Sequence, residues 1–382
     1  MRSSRIAALG AGLTLALTLT ACAGEGAGGG GGGGADDGEL TAGVAMPTET
    51  YERWVADGRN IEQGLLDSGY DDVDLVYAND DIPTQAQQID QMINAGVDVL
   101  IIASIDGSAL SQQLEAAEEA GIPVIAYDRL LRDSAAVDFY VTFDNYQVGV
   151  AQATSLLQGL GLVDENGERL QDAPEGPFNV ELFAGALDDN NSHFFWDGAM
   201  DTLQPYLEDG TLQVPSGQTD IEQAATERWE GPTAQARMET LLTSTYNDGT
   251  EVDGVLAPAD PLSRGIINAL RSAGYGQTIE DGLPVVTGQD AEIGSVKLIA
   301  DGVQYSTIFK DTRDLADQAV TAAEAFMNDE EPEANNTEDY DNGEIVVPSY
   351  LLEITTVTRD NIQEALVESE YYTEEQVESG QL

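Results

Sequence analysis

Acidic, amide and scarce basic side chains recur in this chain shortly after short runs of β-branched residues. In chain order they are Glu52-Arg53-Trp54, Asp106, Asp128-Arg129, Asp144-Asn145, the run Asp188-Asp189-Asn190-Asn191, Asp260, Gln289-Asp290 and Lys310-Asp311. Carboxylates, amides and guanidiniums are planar groups with donors or acceptors set side by side. That geometry matches two neighbouring hydroxyls. Trp54 and Trp229 add flat apolar surfaces of the kind that covers the C–H face of a pyranose. Together these groups suit a neutral sugar and require no bond to be made or broken. Taken singly, each Asp or Asn has a second reading, because both are ordinary helix N-caps at strand exits.

Positive charge is scarce, so its placement is informative. The chain of 382 residues carries 70 Asp and Glu against 15 Lys and Arg, a net charge of −55. Such a field repels phosphate backbones and excludes nucleic acid as a partner. The acid is scattered over helical faces, as at Glu115, Glu118 and Glu119 or Glu330, Glu331 and Glu333, which reads as a solvated surface. Of the two lysines, Lys297 falls in a polar helical stretch, whereas Lys310 ends the apolar run Tyr305-Ser306-Thr307-Ile308-Phe309. A loose surface charge is not expected there.

The elements that must position these groups alternate. Strands are expected over 40–45, 74–77, 97–103, 123–127 and 139–143, with helical patterns between them, such as the face formed by Ile89, Met92 and Ile93. The phrases Asn94-Ala95-Gly96-Val97 and Glu119-Ala120-Gly121-Ile122 both read as helix, left-handed glycine, buried strand. The second half repeats the scheme, with strands near 178–183, 212–214, 254–257 and 284–288 and helices near 191–206, 232–246 and 261–273. Repeated βα units imply parallel sheets covered on both faces. About 340 residues follow position 39, enough for two such domains, divided near Asp144–Tyr146. The polar groups lie at the carboxyl ends of the strands, where open α/β sheets bind ligands.

Cys22 is the only cysteine. It follows Leu19-Thr20-Ala21 at the end of an apolar run behind Arg2 and Arg5, which reads as a lipoprotein leader over 1–22 with Cys22 as the lipidated residue. Residues 23–39, with seven consecutive glycines at 28–34, read as a flexible tether. The remainder is expected outside the cytoplasm, anchored to the membrane by lipidated Cys22.

The motifs Gly43-Val44-Ala45-Met46-Pro47-Thr48 with Glu52-Arg53-Trp54, Val124-Ile125-Ala126-Tyr127-Asp128-Arg129, Thr142-Phe143-Asp144-Asn145, Asp188-Asp189-Asn190-Asn191, Gly288-Gln289-Asp290-Ala291, Tyr305 through Thr312 and Val347-Pro348-Ser349-Tyr350-Leu351-Leu352 resemble the sugar-binding receptors of ABC importers. They are most similar to the xylose-binding proteins and the virulence-inducing, chemotactic multiple-monosaccharide receptors. The resemblance implies a type I periplasmic binding protein fold, an α/β protein of two doubly wound parallel-sheet lobes joined by three crossovers. It implies a first lobe of 40–144 plus 311–346 and a second of 145–310 plus 347–382, completed by the strand after Pro348. Arg53 and Trp54 then resemble a contact and stacking pair, and Asp128 and Arg129 a hydroxyl-binding pair. Asn145 stands in a shared motif, and Asn190 or Asn191 occupies a place that often holds arginine. Trp229 resembles the second stacking aromatic, and Asp290 and Lys310 the ligands of the second lobe. At Pro258-Ala259-Asp260, Ala259 replaces the usual asparagine or tyrosine, which sets Asp260 apart from the pattern. The implied partners are a monosaccharide and an ABC permease, with a chemotaxis or sensor protein as a further partner of the chemotactic type; the receptor is expected to be a monomer without cofactor.

Catalysis is the competing reading. Asp188 and Asp189 form an acidic pair of the type glycosidases use, and Lys310 is a potential Schiff-base lysine, as in an aldolase. Adjacent acids in one loop rarely straddle a bond, and the sole histidine, His193, has no nucleophile motif near it. No Cys/His set exists, and Asp188–Asn191 lacks the spacing of a calcium loop. A DNA-binding regulator of the same fold needs a basic head where the leader stands.

Overall fold

The computed structural model describes residues 39–382. Cys22, the rest of the leader and nearly all of the glycine-rich segment lie outside the described residues. The first half builds β1 (Thr41–Met46), α1 (Glu52–Ser68), β2 (Asp72–Tyr77), α2 (Ile82–Ala95), β3 (Val99–Ile102), α3 (Ser111–Ala120), β4 (Val124–Tyr127) and β5 (Phe139–Phe143). The left-handed glycines predicted to stop helices do so: Gly96 and Gly121 have φ of 77° and 71° and cap α2 and α3.

Period-two alternation sends Val44, Met46, Ile101, Ile125 and Tyr127 to one face of the sheet. Ala45, Leu100, Ile102, Val124 and Ala126 face the other. Both faces are buried, so the strands are apolar throughout. At Gly43 the sheet admits no side chain, because a Cβ there would sit 2.8 Å from both Leu100 Cδ2 and Met92 Sδ.

The second half continues with α4 (Asn145–Gly159), β6 (Phe178–Leu182), α5 (Asn190–Glu208), β7 (Leu212–Gln213), α6 (Ile221–Ala224), α7 (Gly231–Ser244), β8 (Gly254–Leu256), α8 (Asp260–Ser272), β9 (Val285–Val286), α9 (Ile293–Ala300) and β10 (Ser306–Phe309). Four strands pair in the order β7-β6-β8-β9, all parallel. α10 (Thr312–Met327) then returns to the first sheet, where Leu315, Ala316, Ala319 and Ala323 enter its core beside Ile61 and Leu65 of α1.

The strand after Pro348 corrects the expected division of the chain. Instead of completing the second lobe, β11 (Ser349–Leu352) pairs in parallel with β5, giving the first sheet the order β11-β5-β4-β3-β1-β2. The physical reason is the open edge of β5, whose strand is wholly buried and whose backbone groups need partners. Tyr140 N donates to Pro348 O at 3.0 Å and Asp144 N to Leu352 O at 3.1 Å. Two residues later β12 (Thr355–Thr358) pairs antiparallel with β10, and α11 (Glu374–Ser379) follows. The chain thus crosses between the two lobes three times, after β5, after β10 and between β11 and β12.

Candidate functional site

A small cavity of about 50 Å³, open at its mouth, lies between the carboxyl ends of the two sheets, at the position where open α/β sheets bind ligands. Its first wall is set by the opening turn of α1, which presents Tyr51, Arg53 and Trp54. Arg53 is buried among three carboxylates: Nε is 3.2 Å from Asp57 Oδ2, Nη2 2.7 Å from Asp128 Oδ2 and Nη1 3.3 Å from Asp290 Oδ1. Desolvation works against the charged guanidinium, but these neighbours outweigh it and hold its pKa above the usual value. The guanidinium carbons of Arg53 and Arg129 lie 4.3 and 5.2 Å from the centre of the Trp54 ring, so this indole is a platform for cations.

Asp57 lies one helical turn behind Arg53 and is fully buried. Its Oδ1 accepts from Tyr127 Oη at 2.6 Å. Burial pushes this carboxyl up to about 6 although Arg53 and Tyr127 pull it down. Asp128 has a left-handed backbone, φ 58°, which Asp tolerates better than most residues. Its carbonyl is pinned by Tyr140 Oη, Thr142 Oγ1 and Asn191 Nδ2 at 2.6, 3.0 and 2.8 Å, so its carboxylate is aimed at Arg53. Burial raises the pKa of that carboxyl, but Arg53, Lys310 and Arg129 more than offset it and hold it below the ordinary range.

The opposite wall comes from the second sheet. Asp189 caps α5 through Asn191 N, accepts from Trp229 Nε1 at 3.2 Å and pairs with Arg129 Nε at 3.2 Å. Trp229 packs its ring against Gly185, where a Cβ would lie 2.0 Å from Cη2. α5 reaches the cavity because it touches α4 backbone to backbone: a Cβ on Gly149 would lie 2.1 Å from Phe195 O, and one on Gly198 2.1 Å from Tyr146 O. Asp290 follows β9 with φ 89°, and its N–H donates to Ile308 O at 2.9 Å. That bond brings Asp290 beside Lys310, whose Nζ is 3.0 Å from Asp290 Oδ1 and 5.8 Å from the ring centres of both Phe143 and Phe195.

The structure therefore brings Arg53, Trp54, Asp128, Arg129, Asn191, Trp229, Asp290 and Lys310 around one cavity. Three expected contact residues are placed elsewhere. Asn145 is buried outside the lining, its Nδ2 within donating distance of Asn191 Oδ1, Thr142 Oγ1 and Tyr340 Oη. Asn190, half-buried, opens the first turn of α5 and lies outside the lining. Asp260 is fully buried beneath the second wall, accepting from Gln304 Nε2, Glu292 N and Thr307 Oγ1 at 2.8, 2.9 and 3.1 Å; burial lifts its pKa well above the ordinary range, with Arg264 and Gln304 acting in the opposite sense. The lining also contains Tyr51, Phe195 and Glu292, which the motifs did not single out. Tyr51 and Glu292 stand next to the motif of Arg53 and two positions after Asp290, whereas Phe195 is one helical turn beyond Asn191.

The acidic pair does not converge on a bond: Asp188 is exposed, whereas Asp189 is buried against Arg129 and Trp229.

The family described as periplasmic binding protein domain matches residues 42–331. The chain is 51% identical over 343 residues to the multiple sugar-binding periplasmic receptor ChvE of Rhizobium radiobacter, covering 90% of this chain and 93% of that relative. It is 34% identical over 339 residues to the D-xylose-binding periplasmic protein of Escherichia coli (strain K12), covering 89% and 93%. An ABC transporter solute binding protein from Clostridium phytofermentans with bound β-D-glucose matches with a TM-score of 0.82 at 46% identity, covering 88% of this chain and 99% of that one. These relatives are receptors and binding proteins rather than enzymes. With matches that run through both sheets and the cavity between them, the chain belongs to the periplasmic binding protein family, beside its multiple sugar-binding receptors.

Proposed function

We propose that this protein is the sugar receptor of an ABC importer, holding one monosaccharide of the glucose and xylose class between its lobes. The observation that carries the reading is the Arg53–Asp290 pair across the cleft, 3.3 Å long and set with Asp128 and Lys310 beside the aromatic rings of Trp54, Phe195 and Trp229. Sugar hydroxyls bridging Arg53, Asp128, Asp290 and Lys310 would favour the closed arrangement by their differential affinity for it. The names of the relatives, sugar receptors and a glucose-bound transporter protein, support the ligand class and a permease as the partner of the closed form. Lipidation of Cys22 would keep the receptor at the membrane; loss of membrane retention in Cys22→Ser tests it.

The direct test is calorimetry and thermal shift of the purified protein against a monosaccharide panel. A ligand at one hundred times its Kd adds about 2.7 kcal/mol of stability, so glucose or xylose should raise Tm clearly. No response to any monosaccharide rejects the reading. Multiple turnovers on glycosides, lost in Asp188→Asn, would favour a glycosidase instead.

A further inference from the structure

Two residues of the first lobe reach across to the second without belonging to the cluster of ion pairs. Tyr51 Oη lies 3.2 Å from the carbonyl oxygen of Arg228 and 3.4 Å from that of Trp229. Glu52 Oε2 accepts from Ile293 N at 3.3 Å. That amide opens α9, whose own N-cap residue, Glu292, makes no side-chain bond to it, so the first lobe supplies an acceptor that the helix lacks. Tyr51 and Glu52 both belong to the turn that begins α1 and delivers Arg53 and Trp54 to the cavity.

The segment that Tyr51 holds is strained. Arg228 and Trp229 have φ of 55° and 58°, two consecutive side-chain-bearing residues in the left-handed region, and such a conformation persists only where its surroundings enforce it. Its own lobe contributes the turn bonds from Trp229 N to Thr226 O and from Glu230 N to Glu227 O, each 3.2 Å, and the indole bond to Asp189. Tyr51 adds a bond from the opposite lobe, to the carbonyls of the two strained residues themselves. The φ of Trp229 sets the direction of its Cβ, and hence whether its ring stands in the cavity edge-on to Phe195.

Resting on the monosaccharide reading of the cavity, we propose that Tyr51 and Glu52 latch the lobes together, and that Tyr51 is a positioning residue acting on the ligand through Trp229. When the lobes part, both bonds break and the left-handed turn loses its outer restraint. Arg228 and Trp229 then return to the ordinary backbone region, which turns the Trp229 Cβ and swings the indole away. Closure therefore builds the second aromatic face in the same step that shuts the cleft. Escape of the sugar requires the latch to open first.

Calorimetry and stopped-flow kinetics with D-glucose and D-xylose test this on the wild type, Tyr51→Phe, Glu52→Ala and the double variant Tyr51→Phe/Arg228→Gly. Tyr51→Phe keeps the ring that borders the cavity and removes the hydroxyl. Affinity should fall about fivefold or more, the scale of one hydrogen bond, through faster dissociation. Glu52→Ala, at a side chain outside the lining, should act in the same sense. The urea midpoint of the sugar-free protein should stay unchanged in both, whereas a merely structural role would move it. Arg228 also lies outside the lining, and glycine adopts a φ of 55° without the side-chain penalty, so Arg228→Gly should bring Tyr51→Phe back to within about twofold of wild type. Wild-type affinity in Tyr51→Phe rejects the latch. A loss that Arg228→Gly leaves undiminished assigns the hydroxyl to direct sugar contact and rejects the positioning role. Should Tyr51→Phe not fold, Glu52→Ala decides, and a wild-type dissociation rate there rejects the latch. A wild-type protein that binds no neutral monosaccharide rejects the monosaccharide reading and the latch with it, whereas sugar binding with wild-type kinetics in both single variants rejects the latch alone.

Discussion

Asp290 Oδ1 stands 3.3 Å from Arg53 Nη1, joining the loop after β9 on one sheet to the first turn of α1 on the other. The same oxygen is 3.0 Å from Lys310 Nζ. A single carboxylate thus gathers both cations at the centre of the cleft, and Asp128 approaches the same two from the first sheet at 2.7 and 4.0 Å. Two acids at left-handed backbone positions, Asp128 and Asp290, thus hold the two cations from opposite sides of the cleft.

Arg53→Lys keeps the charge and loses the planar fork that serves three carboxylates at once. Sugar affinity should fall at least tenfold by calorimetry, about 1.4 kcal/mol, with the fold intact. Unchanged affinity would remove Arg53 from the ligand contacts.

Lys310→Met retains the stem between Phe143 and Phe195 and deletes the donors. Leaving a buried partner unmatched costs about 1–3 kcal/mol, so binding should weaken tenfold or more. Normal affinity would mean that Lys310 serves only to pair with Asp290.

Gly185→Ala places a methyl group 2.0 Å from Trp229 Cη2 and 2.5 Å from Ser192 Oγ. Overpacking of this kind costs roughly 1–3 kcal/mol. The indole is the movable partner, so ligand affinity and Trp fluorescence should change more than urea stability. An affinity equal to wild type would show that Trp229 tolerates displacement.

Asp57 supplies a pH dependence with a definite sign. Its carboxyl titrates near 6 in the folded protein and near 4 in an unfolded chain. Between those values the native state holds a proton that the unfolded state has released, so this group favours folding below about pH 4 and loses that contribution as pH rises to 6. Two pH units correspond to about 3 kcal/mol. Relative to wild type, Asp57→Asn should therefore gain stability from pH 4 to pH 7 in urea titrations. Parallel stability profiles for the two proteins would refute the shift.

Much of this architecture is written locally. Gly96 and Gly121 announce helix ends, apolar runs announce buried strands, and Asp128, Asp290 and Lys310 were legible as strand-exit residues. What local pattern does not encode is the distant partner. Asn145 and Asn191 look alike in sequence, yet only Asn191 borders the cavity, while Asn145 turns into the Thr142 and Tyr340 network. Asp260 looks like one more exit acid, but Gln304 and Thr307, more than forty residues away, hold it below the wall. The strand after Pro348 is equally compatible with either sheet until the unpaired edge of β5 is seen.

That strand has a mechanical consequence. Between Leu352, the end of β11, and Thr355, the start of β12, only Glu353 and Ile354 remain. Two residues have four freely rotating backbone torsions, and both flanking strands are tied down by sheet hydrogen bonds. This linkage is therefore a pin rather than a strap: it permits the halves to swivel about a nearly fixed point and denies them a sliding separation. A closing rotation about this pin would bring Arg53 and Asp290 back to one registration each time.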